Sequence, residues 1–427
     1  MSDAPEQESV STQATPTPRP SQRWEPFRFI HASDFQLHSP IAGLAVIPEA
    51  MKEGLASAAY IAAERVFDAA INERVAFVLL SGNLVDLDYG GPRAIAFLLA
   101  QFERLAKREI QVFWCGGETD LLERWPTSIE LPPNVRLFSS TLVDSVSVKG
   151  PSGKTMATII GAAHDPHRSN LRDFQSLSAE GFPIGLTCGR FDPAKLAAHG
   201  VRYWAMGGKE TRSQTAQGPV TFAWPGTPQG RSRDNQGPHG ALLVSVEREG
   251  GVRTQSIDVE VARWMNIAVS VSESVKLDAL KDLLADRALQ ITSKLPDANL
   301  LVHWHIATTG DYTTTFRKQE NRQTLIQWLR HEFGGSPGLW TVDLTISPSQ
   351  TIPGVWFEED TILGDFLREI SRFRTNEDLP LQLANYDPGT EEHETVGRLS
   401  KVDSKRRDIL LDEVILEGIE RLGGNEA

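Results

Sequence analysis

Four residues at the ends of apolar runs carry the oxygen chemistry of this chain: Asp34, Asn83, Glu118 and Glu210. Asp34 follows Phe29–Ser33, Asn83 follows Val75–Gly82, Glu118 follows Val112–Gly117 and Glu210 follows Tyr203–Lys209. An oxygen-rich set of this kind suits a hard cation such as magnesium, whereas manganese and iron sites usually add imidazole. The nearest histidines are His31 and His38. His31 lies inside its run and reads as a satisfied core histidine. His38 lies two residues beyond Gln36 and is the one that would face a site. Asp86 and Asp88 read as loop solvation and helix capping, and Gly82, Gly116 and Gly117 as tight-turn positions. His303 and His305 flank Trp304 on one strand, so they share a face. They lack an evident third zinc ligand, so an exposed strand face is expected. His164 and His167 read as surface loop. No nucleophile elbow, Walker loop or Rossmann fingerprint is visible.

These residues need strands that end together. In α/β proteins ligands bind at the carboxyl ends of parallel strands, and each run here opens into a polar or Gly-rich loop. Pro26–Ala32 reads as a strand, Pro48 to about Asn72 as a helix and Val75–Ser81 as a strand buried on both faces. Pro92–Lys107 is a second amphipathic helix and Ile110–Cys115 a third strand, which makes β-α-β-α-β and a layered α/β class. After Asp120 the pattern becomes β-rich through Val259. Residues 261–350 alternate strand and helix as a small α+β accessory, or capping, domain. Residues 351–427 form an acidic, largely helical segment. Residues 1–25, rich in Ser, Thr, Pro and Gln, are expected to be disordered.

Charge divides the chain in the same way. Of the net −13, residues 356–427 hold −9, from 18 Asp/Glu against 9 Lys/Arg, and residues 1–25 hold −2. The body is therefore close to neutral, unlike the basic footprint of an autonomous DNA binder. No apolar run is long enough to cross a membrane. Two cysteines do not make a disulfide framework, so a reducing, cytoplasmic compartment is expected.

The order of motifs resembles the calcineurin-like metallophosphoesterases, in particular the DNA-repair exonuclease branch of the SbcD and YhaO type. The fold implied is a layered β-sandwich flanked by helices over residues 26–260. FIHASDFQLHSPIAGL at Phe29–Leu44 resembles the opening strand with its Asp-x-His. LLSGNLVD at Leu79–Asp86 is similar to Gly-Asp-x-x-Asp, and FWCGGETD at Phe113–Asp120 stands where Gly-Asn-His-Asp/Glu belongs. IGLTCG at Ile184–Gly189 resembles the strand ending in a histidine ligand, and YWAMGGKE at Tyr203–Glu210 the strand ending in Gly-His-x-His. That family's chemistry uses two bridged metals that clamp a phosphate and generate hydroxide.

Carried over position by position, the resemblance implies a depleted ligand set. Asp34 matches the first ligand. Gln36 stands for a histidine, Asn83 for the bridging aspartate and Gly117 for the asparagine. Glu118 replaces the substrate-facing histidine, Cys188 a further ligand, and Gly208 and Glu210 the final histidine pair. The metal candidates are thus Asp34, Gln36, Asn83 and Glu210, with Glu118 and Asn83 at degenerate catalytic positions. The leading expectation is a non-catalytic member with no cofactor, acting as a binding or scaffolding subunit. The alternative is an active phosphodiesterase or DNA exonuclease with a rebuilt Mn or Mg site, such as Asp34 with Glu210 and Glu118. The resemblance also implies an SMC-like coiled-coil ATPase as partner, docked through the C-terminal helices. DNA is a further partner, through Arg168, Arg172, Arg190, Arg202, Arg212, Arg231 and Arg233, although scattered solvated arginines are the expected reading.

Overall fold

The computed structural model describes residues 23–164, 174, 179–271, 276–308, 319–348, 354–376, 379 and part of 407–422. The tail 1–22, His167, Arg168, Arg172 and the stretch Tyr386–Thr395 lie outside the described residues. The chain divides into two compact units, Met1–Met265 with Ala298–Leu300, and Asn266–Asp297 with Leu301–Ala427.

The first unit is built on two six-stranded sheets. In chain order its strands are β1 (Phe27–Ala32), β2 (Phe77–Ser81), β3 (Gln111–Cys115), β4 (Val135–Phe138), β5 (Asp144–Lys149) and β6 (Thr155–Ala162). They continue as β7 (Phe182–Cys188), β8 (Tyr203–Gly207), β9 (Ser213–Gln217), β10 (Val220–Trp224), β11 (Gly240–Val246) and β12 (Val252–Asp258). One sheet runs β12-β11-β1-β2-β3-β4 and the other β5-β6-β7-β8-β10-β9. Strands β1 to β4 are mutually parallel, as are β6, β7, β8 and β10. The loops after β1, β2 and β3 therefore leave one end of their sheet, and those after β7 and β8 one end of the other.

Period-two alternation explains why the strands of the first sheet are apolar on both faces. Ile30, Ala32, Val78, Leu80, Val112 and Trp114 face one way and bury the apolar stripes of helices Ala58–Asn72 and Gly91–Ala106. Phe27, Phe29, Phe77, Leu79, Phe113 and Cys115 face the other way, into the core between the sheets, and meet Phe182, Ile184, Leu186 and Tyr203. Phe29 stacks on Phe77 at 5.0 Å between centroids and meets Tyr203 edge-on at 5.4 Å. The outer face of the second sheet carries its own cluster, with Trp204, Phe222, Trp224 and Leu196.

His31 lies on the inter-sheet face. Its ring nitrogens are 2.9 Å from the Tyr203 hydroxyl and 2.9 Å from Ser81 Oγ, and burial pushes its pKa down to about 3. It is a neutral core histidine.

Two local differences from the sequence expectation have physical causes. The first helix breaks at Ser57, so a short helical turn, Lys52–Ala56, precedes Ala58–Asn72. Strand β9, Ser-Gln-Thr-Ala-Gln, gives no apolar alternation because it is an exposed edge strand held by pairing with β10.

A three-stranded sheet, β13-β14-β15, of Ala262–Val271, Asn299–Thr308 and Gly338–Pro348, belongs mostly to the second unit, with β13 up to Met265 and the first two residues of β14 counted in the first. Helices Leu277–Lys294 and Gln319–Phe333 belong to the second unit. Arg330 of the latter donates to the carbonyls of Thr341 and Val342 and lies over the Trp340 ring. His303 and His305 have ring centroids 4.2 Å apart and both reach the Thr345 hydroxyl, at 2.7 and 3.3 Å. His303 is buried rather than on an exposed face, because the Thr345 hydroxyl satisfies it. Further along, helix Ile362–Thr375 is capped by Thr361, whose hydroxyl accepts from Gly364 N.

Candidate functional site

Asp34 is the centre of a hydrogen-bonded cluster at the carboxyl end of β1. It is 1 % exposed, and both of its carboxylate oxygens are engaged. Oδ2 accepts from Ser33 Oγ at 2.6 Å and from Gly208 N at 3.0 Å, and Oδ1 accepts from Asn83 Nδ2 at 2.9 Å. Burial outweighs these donors and pushes its pKa up to about 6, with the nearby Asp120 charge adding in the same direction. Gly208, just past β8, has φ +84° and can aim its N–H at Asp34 because it lacks a β-carbon.

Backbone strain collects at the same strand ends. Asp34, Gln36 and Asn83 all have positive φ, at 55°, 46° and 55°. Each such residue costs roughly 1–3 kcal/mol and persists only where its surroundings hold it. Here the holders are explicit. Asp34 N donates to Gly82 O, Gln36 N to Asn83 O and Leu37 N to Leu84 O, so the loops after β1 and β2 are laced together.

Asn83 stands where the resemblance implies a bridging carboxylate, and its amide has a fixed orientation. Its Nδ2 donates to Asp34, while its Oδ1 receives Thr119 N at 3.4 Å. A second Nδ2 contact reaches Cys188 Sγ at 3.8 Å. A β-carbon on Gly117 would overlap the Asn83 side chain, so the space an asparagine ligand would need at Gly117 is taken by Asn83. Cys188 is 1 % exposed, and burial pushes its thiol pKa well up, so it stays protonated.

Asp120, not singled out as a site residue from the sequence, organises the loop after β3. It is fully buried and accepts from Gly117 N (2.5 Å), Asn83 N (2.8 Å), Leu84 N (2.9 Å) and Trp114 Nε1 (3.1 Å). Burial raises its pKa despite those donors. The signal in the sequence was an acid after Gly116-Gly117, a turn that directs free amides at a carboxylate.

Glu210 lies after β8 and is tied to a cation. Its carboxylate accepts from Arg231, from Asn235 Nδ2 at 2.8 Å and from Gln36 Nε2 at 3.4 Å. Burial alone would raise its pKa, but the Asn235 bond, the Arg231 charge and the Gln36 bond hold it below the usual value. Arg231 was read from the sequence as one of several solvated arginines; its side chain is instead only 14 % exposed and turned onto Glu210. His38 is tied to the loop after β2, its Nδ1 accepting from Asp86 N at 3.1 Å. Glu118 stands apart from Asp34. Its side chain is 74 % exposed and lies 3.8 Å from His164 Nε2. His164, expected on the surface, is mostly buried.

The structure thus gathers Asp34, Asn83 and Cys188 in one cluster and Gln36 with Glu210 in another, and leaves Glu118 at the rim. These groups do not fit a pair of bridged dications. The Asp34 oxygens are spent on three donors, and an amide N–H₂ faces Asp34 from the bridging position. Glu210 already carries a guanidinium. Among the described residues no group of three or more His, Cys, Asp or Glu has metal-holding geometry. A cavity of about 930 Å³ opens elsewhere in this unit, lined by Phe27, Arg28, Arg74, Glu109, Lys149 and Met156 among others, and contains none of these residues.

The protein described as "Uncharacterized metallophosphoesterase YhaO" of Bacillus subtilis (strain 168) is 28 % identical to this chain over 281 residues. The match covers 62 % of this chain and 68 % of that protein. With the paired mixed sheets and the motif order at their strand ends, this likeness makes the chain similar to the metallophosphoesterases. No family model matches the chain. Among solved structures, a dimetal phosphatase from Danio rerio is similar at 10 % identity and a TM-score of 0.33, over 55 % of this chain and 99 % of that one. GAP50, described as the anchor in the inner membrane complex of Plasmodium, is similar at 12 % identity and a TM-score of 0.32, over 55 % and 89 %. Scores this low add nothing to the assignment.

Proposed function

We propose that this protein is a non-catalytic metallophosphoesterase-family member whose fold serves as a binding or scaffolding module. The observation that supports this is the state of its two inner carboxylates: Asp34 is saturated by Ser33, Asn83 and Gly208, and Glu210 by Arg231, Asn235 and Gln36. A two-metal phosphodiesterase needs such carboxylates free to bridge and clamp ions. Function lives in the site rather than the fold, and here the fold is kept while the site is spent.

We assign the chain to the DNA-repair exonuclease branch on the motif order, with an SMC-like coiled-coil ATPase as the partner. The acid-rich C-terminal segment suits a basic docking surface on that partner. Part of the apolar stripe of helix Ile362–Thr375 is used internally: Leu367 is buried, and Phe366 packs where a β-carbon on Gly418 would fall. Ile362 remains 75 % exposed and available to a partner.

The test is metal content and manganese affinity of the purified full chain, with hydrolysis of bis(p-nitrophenyl) phosphate in Mn²⁺ measured in parallel. Wild type and Asp34→Ala should both show no stoichiometric metal and no turnover above buffer. Two metals per chain together with turnover, both lost in Asp34→Ala, would overturn the proposal.

A further inference from the structure

A cavity of about 230 Å³ opens beside the cleft that holds Asp34 and Glu210. It lies between the loops after β1 and β2 and the helices Lys52–Ala56, Ala58–Asn72 and Gly91–Ala106. Its polar lining residues are His38, Ser39, Tyr60, Tyr89 and Arg93, and no Asp or Glu is among the described residues that line it. The acids of the loop after β2 are turned elsewhere. Asp86 Oδ1 accepts from the amides of Asp88 and Tyr89 at 2.9 and 3.1 Å, and Asp88 pairs with Arg124 at 2.9 Å.

The donors are held in place. Arg93 lies over the Tyr60 ring, 4.2 Å from its centroid, and Phe97 braces Tyr60 edge-on at 5.3 Å. One guanidinium N–H reaches Ser57 Oγ at 3.4 Å, which uses one donor of a planar fork of five. His38 Nδ1 accepts from Asp86 N, so the ring hydrogen is on Nε2 and that nitrogen donates. A cavity whose fixed charge is a guanidinium, and whose other polar groups can all donate, suits an anion. Donors on several walls match the three terminal oxygens of a phosphate monoester better than a flat carboxylate. Tyr89 is 84 % exposed and sets an aromatic face on the rim, where a nucleobase can stack. The volume is below the roughly 300–1,000 Å³ of pockets for drug-sized ligands. It therefore admits a phosphate and its sugar and leaves the base outside, against Tyr89.

We propose that this cavity binds a nucleotide by its phosphate, with Arg93 and His38 on the phosphate oxygens and Tyr89 on the base. The proposal rests on the reading of the chain as a binding module and names what that module holds. The phosphate belongs to a free nucleoside monophosphate or to the end of a single strand, which share this chemistry.

The experiment titrates thymidine 5′-monophosphate into the full chain in EDTA by calorimetry, with ribose 5-phosphate as the probe that lacks a base. Wild type should bind both, the nucleotide about tenfold more tightly. Arg93→Gln should weaken both by about tenfold or more, the loss of a charged hydrogen bond. Tyr89→Ala should weaken the nucleotide about tenfold and leave ribose 5-phosphate unchanged. Arg136→Gln, at a half-exposed arginine of β4 paired with Asp144, should change neither. Arg93 and Tyr89 are exposed, so both variants should keep the wild-type melting temperature. A short oligothymidylate with a 5′-phosphate gives the source. Tighter binding than the nucleotide, lost without the 5′-phosphate, supports a strand end, and weaker binding supports a free nucleotide.

No binding to wild type, or equal affinity in wild type and Arg93→Gln, would overturn the proposal with the non-catalytic reading untouched. Manganese-dependent turnover lost in Asp34→Ala would instead strike down that reading, while Arg93-dependent binding in EDTA would stand.

Discussion

Asp34 is an acid held among donors yet too deep for them to keep it fully acidic. Its pKa lies near 6 in the fold and near 4 in the unfolded chain, so the fold favours its neutral form. Its contribution to stability is fully present below about pH 4 and is lost as pH rises to about 6. The shift corresponds to about 3 kcal/mol. His31 acts in the opposite sense, being neutral in the fold with a pKa near 3, so its contribution is lost as pH falls below about 6.5. The two slopes offset in the whole protein and must be separated by substitution. Asp34→Asn should give a stability that, relative to wild type, rises steadily between pH 4 and 6, whatever its absolute change at one pH. Urea unfolding across that range measures it, and parallel curves for the two proteins would dismiss the shift.

Asn83 and Gly117 make a second residue-scale case. Adding a β-carbon at Gly117 drives it into the Asn83 amide, and overpacking of this kind costs roughly 1–3 kcal/mol. Asn83→Ala should destabilise on its own by stripping a donor from buried Asp34. Combined with Gly117→Ala, it should recover part of the steric cost, giving a coupling of at least about 0.5 kcal/mol. Strict additivity in a denaturant-based double-mutant cycle would mean that Asn83 does not occupy that space.

At the scale of elements, the loops after β2 and β3 are organised by one buried acid. Asp120 accepts four donors from both loops and from the Trp114 indole, so Asp120→Ala orphans them all at once. The expected loss is about 3–5 kcal/mol, and hydrogen exchange at Asn83, Leu84 and Gly117 should quicken well before the strand cores do. Uniform change across the unit would mean that Asp120 is a general core residue and not a loop organiser.

Strands β1, β2, β3, β7 and β8 were legible from sequence because both of their faces are apolar, and the positions of Asp34, Asn83 and Glu210 follow from where those runs stop. What was not legible was pairing across the cleft. Nothing local tells that Arg231 turns inward while Glu118 turns out, since both are charged residues in Gly-containing loops. Only the packing of loops distant in sequence decides it. Asp120 was hidden for the same reason, its donors lying on Asn83 and Leu84 as well as nearby. Strand β9 was hidden because an edge strand can be held by backbone pairing without an apolar face.

At the scale of the whole molecule, the first unit closes on a residue of the strand that leads out of it. Trp264 of β13 is 1 % exposed; its Nε1 donates to Gly230 O at 3.2 Å, and its carbonyl accepts from Gly237 N at 3.0 Å. Ala262 completes the same seam, its carbonyl accepting from Gln229 Nε2 at 2.7 Å. These contacts pin the loop that carries Arg231 and Asn235, so the order of the cleft depends on a segment beyond β12. A chain of residues 23–265 has length enough for an independent core and should fold with one cooperative urea transition. A chain of residues 23–261, four residues shorter, removes a buried tryptophan and takes the Ala262 carbonyl from Gln229 Nε2. By analogy with large-to-small core substitutions it should be weaker by about 3 kcal/mol or more. The loss should fall on the Arg231 loop, so limited proteolysis should cut between Thr227 and Gly237 in the shorter chain and spare that stretch in the longer one. Equal urea midpoints and identical cleavage patterns would mean that the first unit ends before Ala262 and that the cleft does not lean on Trp264.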